Sequence, residues 1–263
     1  MIHAGRPVAI LVALLAIPAG RCGAAPNLAI QSDGAASRSR PSFLELDDAG
    51  IALFAAVGIA LAGHEDQEIA EHAPDARSGL ARGLGKFGEH FGNPLYSAPL
   101  LGVAYLAGRL GHDPGLSRSA LRIAGGMASA AAVSGTMKFA VGRFRPQESP
   151  DDPSRFDTFS SHSSFPSGHT TIAFSLAAGI DRETDAGWVP FVVYPAAAIS
   201  GWSRLRDHKH WASDVVAGAV IGVWTSARFD RLVGGPESRV SLRIGTLPDP
   251  AGGPIALGAT LRF

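Results

Sequence analysis

The chain has 263 residues, enough for one substantial core with appendages. It carries 23 Lys and Arg against 23 Asp and Glu, a formal net charge of zero, and so lacks the basic surplus of a nucleic-acid binder. Charged residues make up only 17% and hydrophobic residues 46%, low in charge for a soluble protein, and the 32 glycines suit closely packed helices.

Residues 1–25 read as an export signal: Arg6 makes the start positive, Val8 to Ile17 form an apolar core, and Pro18 to Ala25 supply small residues. The apolar run is short for an uncleaved anchor. Cleavage near Ala24 or Ala25 removes Cys22, the only cysteine, and leaves a mature chain with no thiol. Arg21 directly before Cys22 argues against a lipoprotein signal. Residues 26–44, rich in Ser, Gly, Ala and Arg, read as a flexible linker.

The main domain is expected over residues 45–233 as an all-α bundle. Helices are predicted over Asp48–Gly63, Glu65–Gly85, Pro94–Leu110, Ser119–Phe139, His169–Ile180, Trp188–Trp202 and Asp214–Val233. The second of these is polar and amphipathic, and most of the others are apolar. A long polar loop, Gln147–Phe165, is expected to cover a site and shape access to it. A membrane span needs about 20 apolar residues, and most runs here are shorter. A membrane-embedded bundle and a soluble periplasmic bundle are both compatible with this pattern. After residue 238 the period changes. Val240, Leu242 and Ile244 alternate, as do Ile255, Leu257, Leu261 and Phe263, with PDPAGGP between the two runs. This predicts a β-hairpin appendage over 238–263.

Three segments carry chemistry: Lys138–Pro146 (KFAVGRFRP), Pro166–His169 (PSGH) and Ser203–Asp214 (SRLRDHKHWASD). Lys138, Arg145 and Arg204 can surround a dianionic phosphoryl group, the arginines as planar forks and the lysine as a point charge. Pro-Ser-Gly-His before an apolar run reads as a helix start with Ser167 as N-cap, whose neighbouring N–H groups would face an anion. Gly168 lets backbone approach a bound oxygen. His210 lies four residues before Asp214, one helical turn apart, so the carboxylate can fix the imidazole tautomer and leave the other nitrogen free to attack. His169 comes from another segment and can protonate a leaving oxygen.

The spacing K-x6-R-P, P-S-G-H, S-R-x5-H-x3-D resembles the type 2 phosphatidic acid phosphatase (PAP2) superfamily, which includes bacterial class A acid phosphatases and vanadium haloperoxidases. The motifs match throughout: Lys138 with Arg145-Pro146, then Pro166-Ser167-Gly168-His169, then Ser203-Arg204 with His210 and Asp214. The resemblance implies a PAP2-like bundle with catalytic residues at helix ends. It implies His210 as a nucleophile that becomes phosphohistidine, Asp214 as its orienting group, and His169 as general acid and then base. Lys138, Arg145, Ser167, Gly168 and Arg204 would bind phosphate, with no metal or other cofactor. The expected partner is a phosphorylated lipid or small phosphoester in the cell envelope, with membrane association and no nucleic acid. Oligomeric state is not legible.

A vanadate-dependent haloperoxidase would use the same pocket, but the chain is short for that group. An envelope structural protein built around the hairpin leaves the motif set unexplained. The remaining histidines have less support. His162 and His208 read as solvated loop residues near the site. His64, His72, His90 and His112 read as structural or exposed. His64-Glu65-Asp66 and Glu89-His90 have no recognised metal spacing.

Overall fold

The computed structural model describes residues 47–73, 78–233, 241–247 and 256–262. The expected export signal (1–25) and linker (26–44) lie outside them. Eight helices are described: α1 (Asp47–His64), α2 (Asp66–Glu71), α3 (Gly79–Phe91), α4 (Pro94–Leu110), α5 (Pro114–Val141), α6 (Gly168–Arg182), α7 (Pro190–Arg206) and α8 (Ala212–Val233). The all-α expectation for the main domain holds.

Local chemistry explains where the boundaries differ from the sequence reading. The expected helix over Glu65–Gly85 is two helices. Pro74 lacks a backbone N–H and disfavours helix at Ala73. The chain restarts where the Ser78 hydroxyl accepts from the Ala81 N–H at 3.1 Å. α5 begins five residues earlier than Ser119, because the Asp113 side chain caps the Leu116 N–H at 3.0 Å and Pro114 occupies the first helical position. The same device starts α4, with Asn93 capping Leu95 at 3.0 Å ahead of Pro94.

α6 is the central element, buried from Thr170 to Gly179 and packed by α5, α7 and α8. α8 packs in turn on α1 and α5, α3 lies on α7, and α4 lies on α5. The core joins Ala173, Phe174 and Ala177 of α6 to Tyr194 and Ala197 of α7 and to Val215, Val216 and Ala219 of α8. Small residues set the spacing. A Cβ on Gly222 would sit 2.4 Å from the Thr171 carbonyl, and one on Gly218 would sit 2.6 Å from that of Ser167. α8 therefore reaches α6 at backbone distance, which places the start of α8 beside the start of α6.

The outer surface is apolar in places. On α4, Leu95, Leu100, Val103, Leu106 and Leu110 are exposed, as are Leu53, Val57 and Leu61 on α1. Among the described residues no helix is long and apolar enough to cross a membrane. The expected hairpin forms as β1 (Ser241–Leu247) and β2 (Ala256–Arg262), antiparallel, with Leu242 opposite Leu261 and Ile244 opposite Ala259.

α5 ends on Gly142, whose φ of 58° lies in the left-handed region. A Cβ there would meet the Asp157 carbonyl at 1.7 Å. The turn feeds Arg143 and Arg145 into the site, and the Gly142 carbonyl accepts from the Asp157 N–H at 2.8 Å. Gly142→Ala is expected to cost about 1–3 kcal/mol from the backbone conformation alone, and more once the loop is displaced. Urea unfolding with unchanged stability would contradict this account of the turn.

Candidate active site

The three motif segments converge where α5 ends and α6 and α8 begin. Lys138, in the last turn of α5, donates through Nζ to the carbonyls of Ser163 and Pro166, both at 2.6 Å. Burial, opposed by Asp214 and reinforced by Arg145, pushes its ammonium down to about 8. Arg145 follows the Gly142 turn and reaches the Ser163 hydroxyl through Nη2 at 3.2 Å.

Ser167 is the N-cap of α6 by backbone, but its hydroxyl makes no capping bond. It accepts instead from the Thr170 hydroxyl at 2.9 Å. The first N–H groups of α6 have no acceptor within the helix, as at any helix start. They form a donor cluster with the positive end of the helix dipole behind it. A Cβ on Gly168 would lie 3.4 Å from the Lys138 Cε, so the lysine stem runs across this helix start.

Arg204, near the end of α7, is 2% exposed. Its Nε donates to the Ser203 hydroxyl at 3.1 Å. Its Nη2 is buried without a hydrogen-bond partner. The nearest carboxylates, Asp207 at 3.6 Å and Glu89 at 3.9 Å, are ion-pair neighbours beyond hydrogen-bond reach. An unmet donor on a buried cation is costly unless an anion completes it.

His210 is buried, and its Nδ1 lies 2.8 Å from the Ser164 carbonyl. A carbonyl only accepts, so Nδ1 carries the proton and Nε2 the lone pair. The direct Asp214 contact expected from the i, i+4 spacing is looser, with Oδ2 at 3.7 Å from Nδ1. Asp214 acts on the ring through Ser164: its Oδ2 accepts from the Ser164 hydroxyl, and also from the Trp211 N–H at 2.9 Å. Burial alone would raise the Asp214 carboxyl. The His210 ring, Arg143 and Ser164 outweigh burial and hold it below the usual carboxylate range. Burial pushes the His210 ring downward, against the pull of Asp214.

His169, at the start of α6, is pushed down to about 4 by burial, then by Arg204 and His210, with Glu89 opposing. At physiological pH the ring is neutral.

Two residues in this cluster were not singled out by the motif reading. Arg143 sits inside the first motif and is 5% exposed. Its Nη1 donates to Asp214 Oδ1 and to the Ser213 hydroxyl, both at 2.7 Å. Its Nη2 donates to Asp66 Oδ2 at 2.7 Å, and Nε and Nη2 both reach the Pro153 carbonyl. Asp66, the first residue of α2, is fully buried. His64-Glu65-Asp66 has no recognised metal spacing. Asp66 instead receives Arg143, the Ser213 N–H at 2.8 Å and the Ser213 hydroxyl at 2.6 Å. No motif spacing reaches Asp66, and the signal available in sequence was only a lone acidic residue at a helix start.

His162 lies in the loop as expected and is partly exposed, but its ring is not free. It stacks on Phe144 with ring centroids 3.5 Å apart and lies 3.4 Å from Glu148. Arg155 lies over the Phe144 ring at 4.2 Å. These contacts fold the 147–165 loop back on the arginine motif. Glu89 faces Arg204 and Lys209, the latter at 3.8 Å, and His90 bonds back to the Lys86 carbonyl at 2.5 Å.

A family model described as the PAP2 superfamily matches residues 119–233. A decaprenylphosphoryl-5-phosphoribose phosphatase of Mycobacterium tuberculosis is 35% identical over 157 residues, covering 60% of this chain and 81% of that protein. The chain belongs to the PAP2 superfamily. A lipid A 1-phosphatase of Porphyromonas gingivalis is 29% identical over 145 residues, which is 54% of this chain but only 30% of that relative's length. The crystal structure of the first transmembrane PAP2 type phosphatidylglycerolphosphate phosphatase from Bacillus subtilis superposes with a TM-score of 0.54 at 18% identity. That alignment covers 69% of this chain and 93% of that one, and it shows a shared fold. Asp66 and Glu89 of this PAP2 chain lie before the segment matched by the family model.

The sign of the His169 effect gives a stability test. Its folded pKa of about 4 lies below its ordinary 6.5, so the folded state favours the neutral ring. That stability is complete above pH 6.5 and is lost as pH falls toward 4, where the unfolded chain takes up the proton first. Thermal unfolding of the wild type is expected to show Tm falling over this window, and less steeply in His169→Gln. Equal slopes would remove His169 as the cause.

Proposed function

We propose that this PAP2 chain is a metal-independent phosphatase of the cell envelope. Its substrate would be a phosphomonoester or lipid (pyro)phosphate, hydrolysed through a phosphohistidine. The observation that carries this reading is Arg204: a buried guanidinium with an unmet Nη2 donor, next to two histidines of different segments and a bare helix N-terminus.

In the first step the Nε2 lone pair of His210 attacks phosphorus. The N–P bond forms as the P–O bond to the leaving group breaks. His169 gives its proton to the departing oxygen. Lys138, Arg145, Arg204 and the α6 N–H groups hold the remaining phosphoryl oxygens and stabilise the charge of the transition state. A bound dianion would favour the protonated His169 ring, against the burial and then the Arg204 charge that depress it, and so supply the proton that the first step needs. In the second step neutral His169 takes a proton from water, the hydroxide oxygen bonds to phosphorus, and the N–P bond breaks to free orthophosphate and His210.

A lipid substrate is supported by the relatives named for lipid A and decaprenylphosphoryl phosphoribose, and by the exposed leucines of α4, which suit contact with a bilayer surface. Envelope location rests on the export signal read at residues 1–25.

Purified protein with EDTA present is expected to release phosphate from phosphatidic acid and undecaprenyl pyrophosphate in detergent, and more slowly from p-nitrophenyl phosphate. His210→Ala is expected to lower turnover by at least about a thousandfold, the scale seen when a nucleophile is removed. Release that depends on added metal, or that survives in His210→Ala, would overturn the mechanism. Preference for the soluble ester would overturn the lipid assignment alone.

A further inference from the structure

We propose that Asp66 is a positioning residue for the attacking histidine, acting through Arg143, Asp214 and Ser164. The inference rests on the reading of His210 as nucleophile. The chain of contacts runs Asp66–Arg143 at 2.7 Å, Arg143–Asp214 at 2.7 Å, Asp214 to the Ser164 hydroxyl, and the Ser164 carbonyl to His210 Nδ1 at 2.8 Å.

All five N–H donors of Arg143 have acceptors: Nε on Pro153, Nη1 on Ser213 and Asp214, Nη2 on Asp66 and Pro153. The guanidinium plane therefore has one orientation. One end of the fork is set by Asp66 and the other delivers its charge to Asp214. Asp66 is held only by donors, namely Arg143 Nη2, the Ser213 N–H and the Ser213 hydroxyl, so the ionised carboxylate is the form that satisfies them all.

Ser213 makes the link rigid, because its backbone belongs to α8 one residue before Asp214. Asp66 thus fixes α8 at its first turn, where both the carboxylate and the preceding histidine are set. A buried ionic triad is a poor source of net stability compared with apolar packing. A positioning role accounts for placing a second carboxylate here, at the start of the short helix α2.

The test compares Asp66→Asn with wild type in the phosphate-release assay, with His210→Ala as reference. Asparagine keeps the shape, removes the charge, and turns one oxygen into a donor facing Arg143 or Ser213. The expected result is a kcat lowered about 10- to 100-fold, by analogy with outer-shell partners that orient metal-ligating histidines. KM and the Ki of orthophosphate should stay within about twofold, since the cradle is untouched. Ser213→Ala serves as a milder variant should Asp66→Asn not fold. It removes one donor from Asp66 and one acceptor from Arg143, and is expected to lower kcat by a smaller factor at constant KM.

Wild-type kcat in Asp66→Asn, or in Ser213→Ala where the first variant does not fold, would overturn the proposal. A kcat loss matched by an equal rise in KM and Ki would assign Asp66 a merely structural part and overturn it as well. Activity surviving in His210→Ala would instead defeat the nucleophile reading on which this inference stands.

Discussion

Arg143 lies between Asp66 and Asp214, each carboxylate 2.7 Å from one end of its guanidinium fork, all three groups shut off from water. Three parts of the chain that are remote in sequence meet in this contact: the start of α2, the turn after α5, and the first turn of α8. Removing one partner of such a buried pair leaves an uncompensated charge and costs on the order of 3–5 kcal/mol. The rest of the site is arranged so that the cost never arises. The left-handed Gly142 turns Arg143 inward, and the Pro153 carbonyl takes the donors that the carboxylates leave over. The Ser164 N–H bonds to the Arg143 carbonyl at 3.0 Å, which carries the second loop into register with the first. Ser164 then bonds both Asp214 and His210, so the orientation of the imidazole follows from the position of the arginine.

On the other side of His210 lie the cations Lys138, Arg145 and Arg204. Burial pushes both Lys138 and Arg204 below their usual values, against the carboxylates of Asp214, Glu89 and Asp207. Glu89, half-exposed at the rim and near both Arg204 and Lys209, moderates the field without filling it. Burial first, and then the charges of Arg204 and His210, hold the His169 ring in its neutral form.

The bundle supplies rigidity where the chemistry needs it. α6 and α8, which carry His169 and Asp214, are the most deeply buried helices and touch at backbone distance through glycine and alanine. α4 is peripheral by contrast and turns its leucines outward. The polar loop over 147–165 is tied down by Phe144 between Arg155 and His162, so it frames the site as a fixed wall.

The sequence by itself determined the helical class and the three motif segments, whose residues the structure brings together. These depend on local spacing: PSGH at a helix start and His210 four residues before Asp214 are short-range patterns. The hairpin was legible for the same reason, from alternation with period two. Tertiary structure alone decided what the motifs do to one another. Asp66 enters through a contact 77 residues away in the chain, from Arg143. The hydrogen bond of His210 goes to a backbone carbonyl at Ser164, 46 residues distant, while the carboxylate one turn along lies 3.7 Å away, beyond hydrogen-bond reach. A buried ion pair leaves no periodic trace in sequence, because any acidic residue at the right point in space can complete it. Burial, which sets the charge state of His169 and Lys138, is likewise a property of packed helices and of no single segment.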